Sequence, residues 1–246
     1  MPDLNLFSWS IVVACSIMAG MTKTGLPGIG ILIVPLMATA LPTGTSTAVV
    51  LGILILADLF AITYHRRNAA WHHMLHLLPS ATAGIVTGYF ILGMVNEQQL
   101  RPIIGAIVLL MLGINYWRTK HQTDETKIPT AWWFAAGLGF IAGTTSMMAN
   151  AAGPVMIIYL LAMRLPTTEF VGTAAWFFFV VNWLKVPFSA KLDLMTVETI
   201  TLNLMMLPCI AIGACLGIFF LKRVPQKTFA VIVQILAALA AVKLLF

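Results

Sequence analysis

Apolar residues run along this chain in long blocks, and polar, glycine-rich stretches cut into two of them. Ten blocks can be marked, at 6–21, 28–41, 45–64, 75–94, 101–117, 131–148, 154–163, 168–188, 198–221 and 226–245. A membrane-spanning helix needs about 20 mostly apolar residues. The third, fourth, eighth, ninth and tenth blocks reach that length, and the fifth just approaches it. Blocks 28–41 and 154–163 do not. At the helical rise they would cover about 21 and 15 Å, against a hydrocarbon core of about 30 Å. They are predicted to be half-helices, each paired with the preceding block as a broken or re-entrant hairpin.

The first interruption reads Thr22-Lys23-Thr24-Gly25-Leu26-Pro27-Gly28-Ile29-Gly30. Inside a helix a proline costs about 3 kcal/mol and a glycine about 1 kcal/mol. In hydrocarbon the freed backbone groups must also find partners within the protein. The second interruption, Thr144-Thr145-Ser146-Met147-Met148-Ala149-Asn150-Ala151-Ala152-Gly153-Pro154, has the same character. Pro27 and Pro154 each stand at or near the first turn of a short apolar helix, where a missing N–H costs least. A helix N-terminus carries free N–H groups and about half a positive charge. Two such ends facing each other make a site for an anion. Thr22, Thr24, Ser146 and Asn150 add neutral donors, and Gly25, Gly28, Gly30 and Gly153 let backbone approach a ligand. The competing reading is a pair of packing kinks where small residues let helices come close.

The two halves of the chain echo each other. Pro79-x4-Gly84-x3-Gly88 recurs as Pro208-x4-Gly213-x3-Gly217, and Leu41-Pro42-Thr43 recurs as Leu165-Pro166-Thr167. Ala19-Gly20 matches Ala142-Gly143, and Asp58 falls opposite Asn182. Each half crosses the membrane an odd number of times, five if the early blocks span and three if they form a hairpin. The halves then face opposite ways, as in secondary transporters with inverted repeats. The fold expected is an all-α integral membrane protein forming one domain over 1–246. Repeat 1 covers about 1–120 and repeat 2 about 128–246. Each holds a broken or re-entrant hairpin followed by three transmembrane helices.

Composition agrees with this reading: 60% of residues are hydrophobic and 9% charged, where a soluble domain carries about 25% charge. The net charge of +6 acts as a topology signal, since no basic patch is interleaved with aromatics as nucleic-acid binding would require. Arg66, Arg67, Arg118, Lys120, Lys127, Arg164, Lys222, Arg223 and Lys227 gather on one face, and Arg101, Lys191 and Lys243 on the other. The positive-inside rule puts the first face in the cytoplasm and both termini outside. Trp9, Trp71, Trp117, Trp132 and Trp133 lie near block ends, where an interfacial belt belongs. The N-terminus lacks the basic region of a signal peptide, so the first helix is expected to remain. Cys15, Cys209 and Cys215 sit in apolar blocks without metal spacing.

Polar residues inside the blocks are the remaining candidates. Lys23 is the basic residue of the first break and either serves a site or reaches to the interface. Asp58, deep in block 45–64, pairs with Lys23, carries a coupling proton or binds a hydroxyl. Asn182 and Lys185 share a helix face at i, i+3 and, with Trp176, offer a cavity lining from the second half. Lys185 also lies near enough to its helix end to reach the interface. His65, His72, His73 and His76 cluster after the third block. His72 and His76 have i, i+4 metal spacing, though a titratable interface is the simpler reading.

At these residues the chain resembles the TauE/SafE family of sulfite exporters. The family's Gly-Gly-Gly-x4-Pro-Leu stretch reads here as Gly28-Ile29-Gly30-x4-Pro35-Leu36, departing at Ile29. Asn150-Ala151-Ala152-Gly153-Pro154, Tyr159-Leu160-Leu161, Phe170, Thr173, Phe177-Phe178-Phe179 and Asn182-x2-Lys185 follow a pattern familiar from one branch. The resemblance implies transport of sulfite, thiosulfate or a short organosulfonate or organic anion across a prokaryotic inner membrane. The reading reached is a secondary transporter working by alternating access, with no catalytic role and no cofactor or metal. Its partners are a small anion, a coupling proton, membrane lipid and a second copy of the chain, with no nucleic acid. The alternatives are a passive anion channel and a membrane metal enzyme built on the His65–His76 loop.

Overall fold

The computed structural model describes residues 4–25, 29–65, 69–120, 132–163 and 165–220, with residues 235, 238, 239 and 242 beyond them. The predicted tenth block, Gly28 and Pro27 lie outside the described residues or almost entirely so. In chain order come α1 (Leu6–Thr24), α2 (Gly30–Ala40), α3 (Thr43–His65), α4 (Trp71–Met94) and α5 (Glu97–Lys120). Then follow α6 (Trp132–Ala149), α7 (Gly153–Ala162), α8 (Thr167–Lys191), α9 (Val197–Met205) and α10 (Leu207–Phe220). No strand occurs among the described residues.

Among the described residues, four helices are long and apolar enough to cross a membrane: α1, α3, α4 and α8. The bent pair α9 and α10 makes a fifth if counted as one span. The apolar part of α5, Gln98–Ile114, is shorter. Half-helices α2 and α7 have 11 and 10 residues, about 17 and 15 Å of rise, so neither crosses a bilayer core alone.

The ninth block departs from the single helix expected at 198–221. It breaks at Met206, and the two parts differ in direction by 46°. Pro208 lies one residue inside α10 and has no N–H to give the Leu204 carbonyl, which removes a rung at the joint. Met206 N–H closes α9 on the Leu202 and Asn203 carbonyls at 3.1 and 3.2 Å. Pro79, at the matching place in the first half, sits inside an α4 that runs unbroken.

α3 is the central post. All residues from Ala48 to Ile55 are buried, which is two full turns, so no side of the helix faces lipid there. It packs against α8, α1, α2, α9 and α10. Leu75, Phe90, Phe140 and Trp183 point outward from the periphery, as the membrane requires.

Glycines set the closest helix contacts, which join α4 to α6 and α1 to α10. A Cβ on Gly143 would overlap the Ala81 carbonyl, and one on Gly20 the Ile210 carbonyl. A Cβ on Gly84 would meet the Phe140 carbonyl, and one on Gly213 the Ile17 carbonyl. Gly88 lies against Thr144 and Met147, Gly217 against Met21 and Thr24. In hydrocarbon, close backbone approach of this kind supplies the packing that holds helices together.

Candidate functional site

The ends of α1 and α6 meet the middle of α3 and α8 in a buried polar cluster. Asp58 on α3 is completely buried. Lys23, in the last turn of α1, reaches it: Nζ stands 2.7 Å from Oδ1. The other carboxylate oxygen accepts from Asn182 Nδ2 at 2.6 Å. Lys23 Nζ also sits 4.2 Å from the centroid of the Phe178 ring, a cation–π contact strengthened by low dielectric. Phe178, Asn182 and Lys185 lie at i, i+4 and i+7 on α8, so one helix face supplies all three.

Lys185 is the second amine and the more deeply buried one, with 1% of its surface exposed. It donates to Asn150 Oδ1 at 2.6 Å, to Ser146 Oγ at 3.0 Å and to the Ser146 carbonyl at 3.2 Å. Three oxygens around one nitrogen match the three donors of an ammonium group. It does not reach an interface, because its partners are the end of α6 and the turn after it. Asn150 holds that turn with φ +50°, and its amide N–H2 donates to the Thr47 carbonyl of α3 at 3.2 Å. One amide thereby ties the second break to both central helices.

Burying a charge is expensive unless it is paired and hydrogen-bonded. The cluster holds two amines and one carboxylate: Asp58 pairs with Lys23, and Lys185 rests on neutral oxygens.

The other candidates divide between this cluster and its supports. Thr22 Oγ1 accepts from the Gly30 N–H at 3.3 Å, bridging the first break and holding the start of α2. Thr24 turns away, donating to the Gly20 and Ala214 carbonyls at 3.0 and 2.8 Å. Gly25 closes α1 through its N–H to the Met21 carbonyl. At Gly153, which opens α7, a Cβ would meet nothing within 4 Å. Trp176 packs on Trp71 with ring centroids 5.1 Å apart, and its buried indole N–H has no acceptor. Thr144 and Thr145 spend their hydroxyls on helix carbonyls.

Phe178, named in the sequence only within the Phe177-Phe178-Phe179 run, and the Thr47 carbonyl also join the cluster. Phe178's seven-residue spacing to Lys185 was a usable signal; a backbone carbonyl gives none. In the histidine region, His76 Nδ1 donates to the His72 carbonyl at 2.7 Å, and the two rings lie 4.4 Å apart. Among the described residues no three His, Cys, Asp or Glu side chains come together in a way that could hold a metal.

A family model described as sulfite exporter TauE/SafE matches residues 12–244. Comparison with curated proteins and with solved structures returned no match.

Proposed function

The chain belongs to the TauE/SafE sulfite exporter family, and from that premise we propose that it is a secondary transporter whose anion site is the Lys23–Asp58–Asn182–Lys185 cluster. The substrate is sulfite, thiosulfate or a short organosulfonate or organic anion. The observation carrying this reading is the placement of two amines about one carboxylate: Asp58 pairs with the partly buried Lys23, and the buried Lys185 has neutral oxygens alone around it. A monoanion between the amines would pair with a protonated Lys185. Ser146 and Asn150, at the second break, would move with it.

The mechanism proposed is alternating access of two inverted repeats, about 1–120 and 128–246, in one domain. Contacts recurring at equivalent positions support it. Gly20 meets the Ile210 carbonyl as Gly143 meets the Ala81 carbonyl, and Gly213 meets Ile17 as Gly84 meets Phe140. A single shared offset carries Leu41-Pro42-Thr43 before α3 onto Leu165-Pro166-Thr167 before α8, and Asp58 onto Asn182. Substrate enters competition with Asp58 for Lys23, so protonating Asp58 frees the amine and couples anion movement to a proton. Loop charge supports an inner-membrane orientation with both termini outside the cytoplasm. Lipid covers the periphery, and a homodimer is an expected assembly.

The test is flux into proteoliposomes with sulfite, thiosulfate, short sulfonates, carboxylates and chloride, alongside thermal shifts at fixed ionic strength. Saturable uptake of one sulfur anion, with a matching rise in melting temperature, is expected. Equal conductance for every anion at rates above transporter turnover would replace the transporter with a channel. No flux and no shift with any anion would remove the reading.

A further inference from the structure

A cavity of about 550 Å³ opens at the end of the bundle where α3 begins. Asn5 and Ser8 of α1, Thr45 and Val49 of α3, and Thr199 and Leu202 of α9 line it. Its size suits a small ligand with water, and its wall mixes hydroxyl, amide and apolar groups with the carboxyl groups of Asp193 and Glu198. The Lys–Asp cluster lies deeper: Asp58 follows Val49 by nine residues on α3, about 14 Å of helix rise.

The layer between them contains one misfit. Asn203 is one turn below Thr199 on the same face of α9, and 4% of its surface is exposed. Its amide lies against Gly52 of α3, one turn below Val49 and free of any side chain that would occupy that space. Leu202, Met206 and Ile53 around this level are apolar and buried. The Asn203 Oδ1 is buried with no hydrogen-bond partner. Native proteins seldom leave a buried amide oxygen unpaired, because its lost hydration is not returned. An apolar side chain would fill the place without that cost. The amide therefore answers a partner that comes and goes.

We propose that Asn203, seated on Gly52, is an outer polar subsite through which a small oxyanion and its water pass between the Lys–Asp cluster and the cavity. An amide suits the task. Turning about its last bond, it offers N–H2 to an anionic oxygen or its carbonyl to a hydroxyl or water. Being neutral, it does not retain the ion. α9 meets α10 at the 46° bend, and α10 packs closely on α1 through Gly20, Gly213 and Gly217. Asn203 is a subsite of the path, distinct from the amines that hold the anion.

This inference rests on the anion-transport reading, so the experiment separates the two. Wild type, Asn203→Leu and Asn203→Asp are reconstituted, and sulfite uptake is measured beside the sulfite-induced thermal shift. Leucine keeps the branching at a larger volume and removes the hydrogen bonds; aspartate keeps the shape and repels an anion. A tenfold or greater fall in the rate of uptake by Asn203→Leu, with the thermal shift kept, is the expected result. Wild-type uptake by Asn203→Leu would overturn the subsite and leave the transporter standing. If the leucine variant does not fold, Asn203→Asp decides in the same way: lost uptake with a retained shift supports the subsite, and wild-type uptake overturns it. A wild-type protein giving neither uptake nor shift would remove the transport reading, and the subsite falls with it.

Discussion

Asn182 donates to Asp58 at 2.6 Å from the corresponding place in the second half of the chain. Thr43 opens α3 and Thr167 opens α8, and Asp58 and Asn182 stand at equal distances along the two helices from those threonines. A carboxylate on α3 thus faces an amide that lies equally far from the start of α8. The difference between them is one charge, and Lys23 of the first half responds to it.

Replacing Asp58 with Asn tests that charge. Removing one partner of a buried ion pair costs about 3–5 kcal/mol, because the other charge stays buried and unpaired. Lys23 is 11% exposed on its side chain, which puts the expected loss at the lower end of that range. Denaturant or thermal unfolding in detergent should register it. Added sulfite should then stabilise Asp58→Asn more than wild type, since it replaces the missing anion. Uptake should lose its response to an imposed pH gradient, and an unchanged response would exclude Asp58 as the coupling group.

Lys185→Met removes the second amine while keeping much of its length and volume. Ser146 and Asn150 lose a donor, yet no charge is left stranded. The fold is expected to survive. At a hundredfold excess over its dissociation constant a ligand stabilises a protein by about 2.7 kcal/mol. That increment, read as a thermal shift with the best sulfur anion, should disappear in the variant. A full shift in Lys185→Met would move the anion site away from α8.

How much of this was legible beforehand depends on what each residue touches. The apolar blocks and the two breaks follow from composition, because a bilayer allows few alternatives to long helices. Asp58, Asn182, Lys23 and Lys185 stood out since charge and amide are rare in such blocks. Their pairing was open, because the two partners of Asp58, Lys23 on α1 and Asn182 on α8, lie far apart in sequence. Thr24 looked like its neighbour Thr22, and only the approach of α10 directs its hydroxyl to the Ala214 carbonyl. The bend at Met206 was also hidden: Pro208 and Pro79 occupy matching positions, but α4 absorbs its proline and the α9–α10 pair does not. Local sequence is alike in the two places, so neighbouring helices must decide the outcome.

The glycine contacts give a prediction about packing alone. Gly143→Ala would drive a methyl into the Ala81 carbonyl, and Gly20→Ala into the Ile210 carbonyl. Backbone cannot yield as a side-chain tip does. Overpacking of this kind costs about 1–3 kcal/mol. Gly137→Ala, where a Cβ meets nothing within 4 Å, should cost nothing and gain slightly from helix propensity. Thermal melts of the three variants should separate the first two from the third. Equal melting temperatures would mean that α4–α6 and α1–α10 are not as tightly apposed as described.

Asn150 allows backbone and side-chain contributions to be taken apart. Its φ of +50° disfavours residues with a Cβ by about 1–2 kcal/mol, and glycine escapes that penalty. Glycine gives back part of the advantage, about 0.4–1 kcal/mol, through its greater freedom in the unfolded chain. Asn150→Gly and Asn150→Ala both lose the bonds to Lys185 and the Thr47 carbonyl, so both should lose stability and transport. The alanine variant should be the less stable by about 1 kcal/mol, the net of those two effects, while transport by the two is equally impaired. If Asn150→Gly instead transports like wild type, the turn matters only for its backbone, and Lys185 does not depend on the amide for its position.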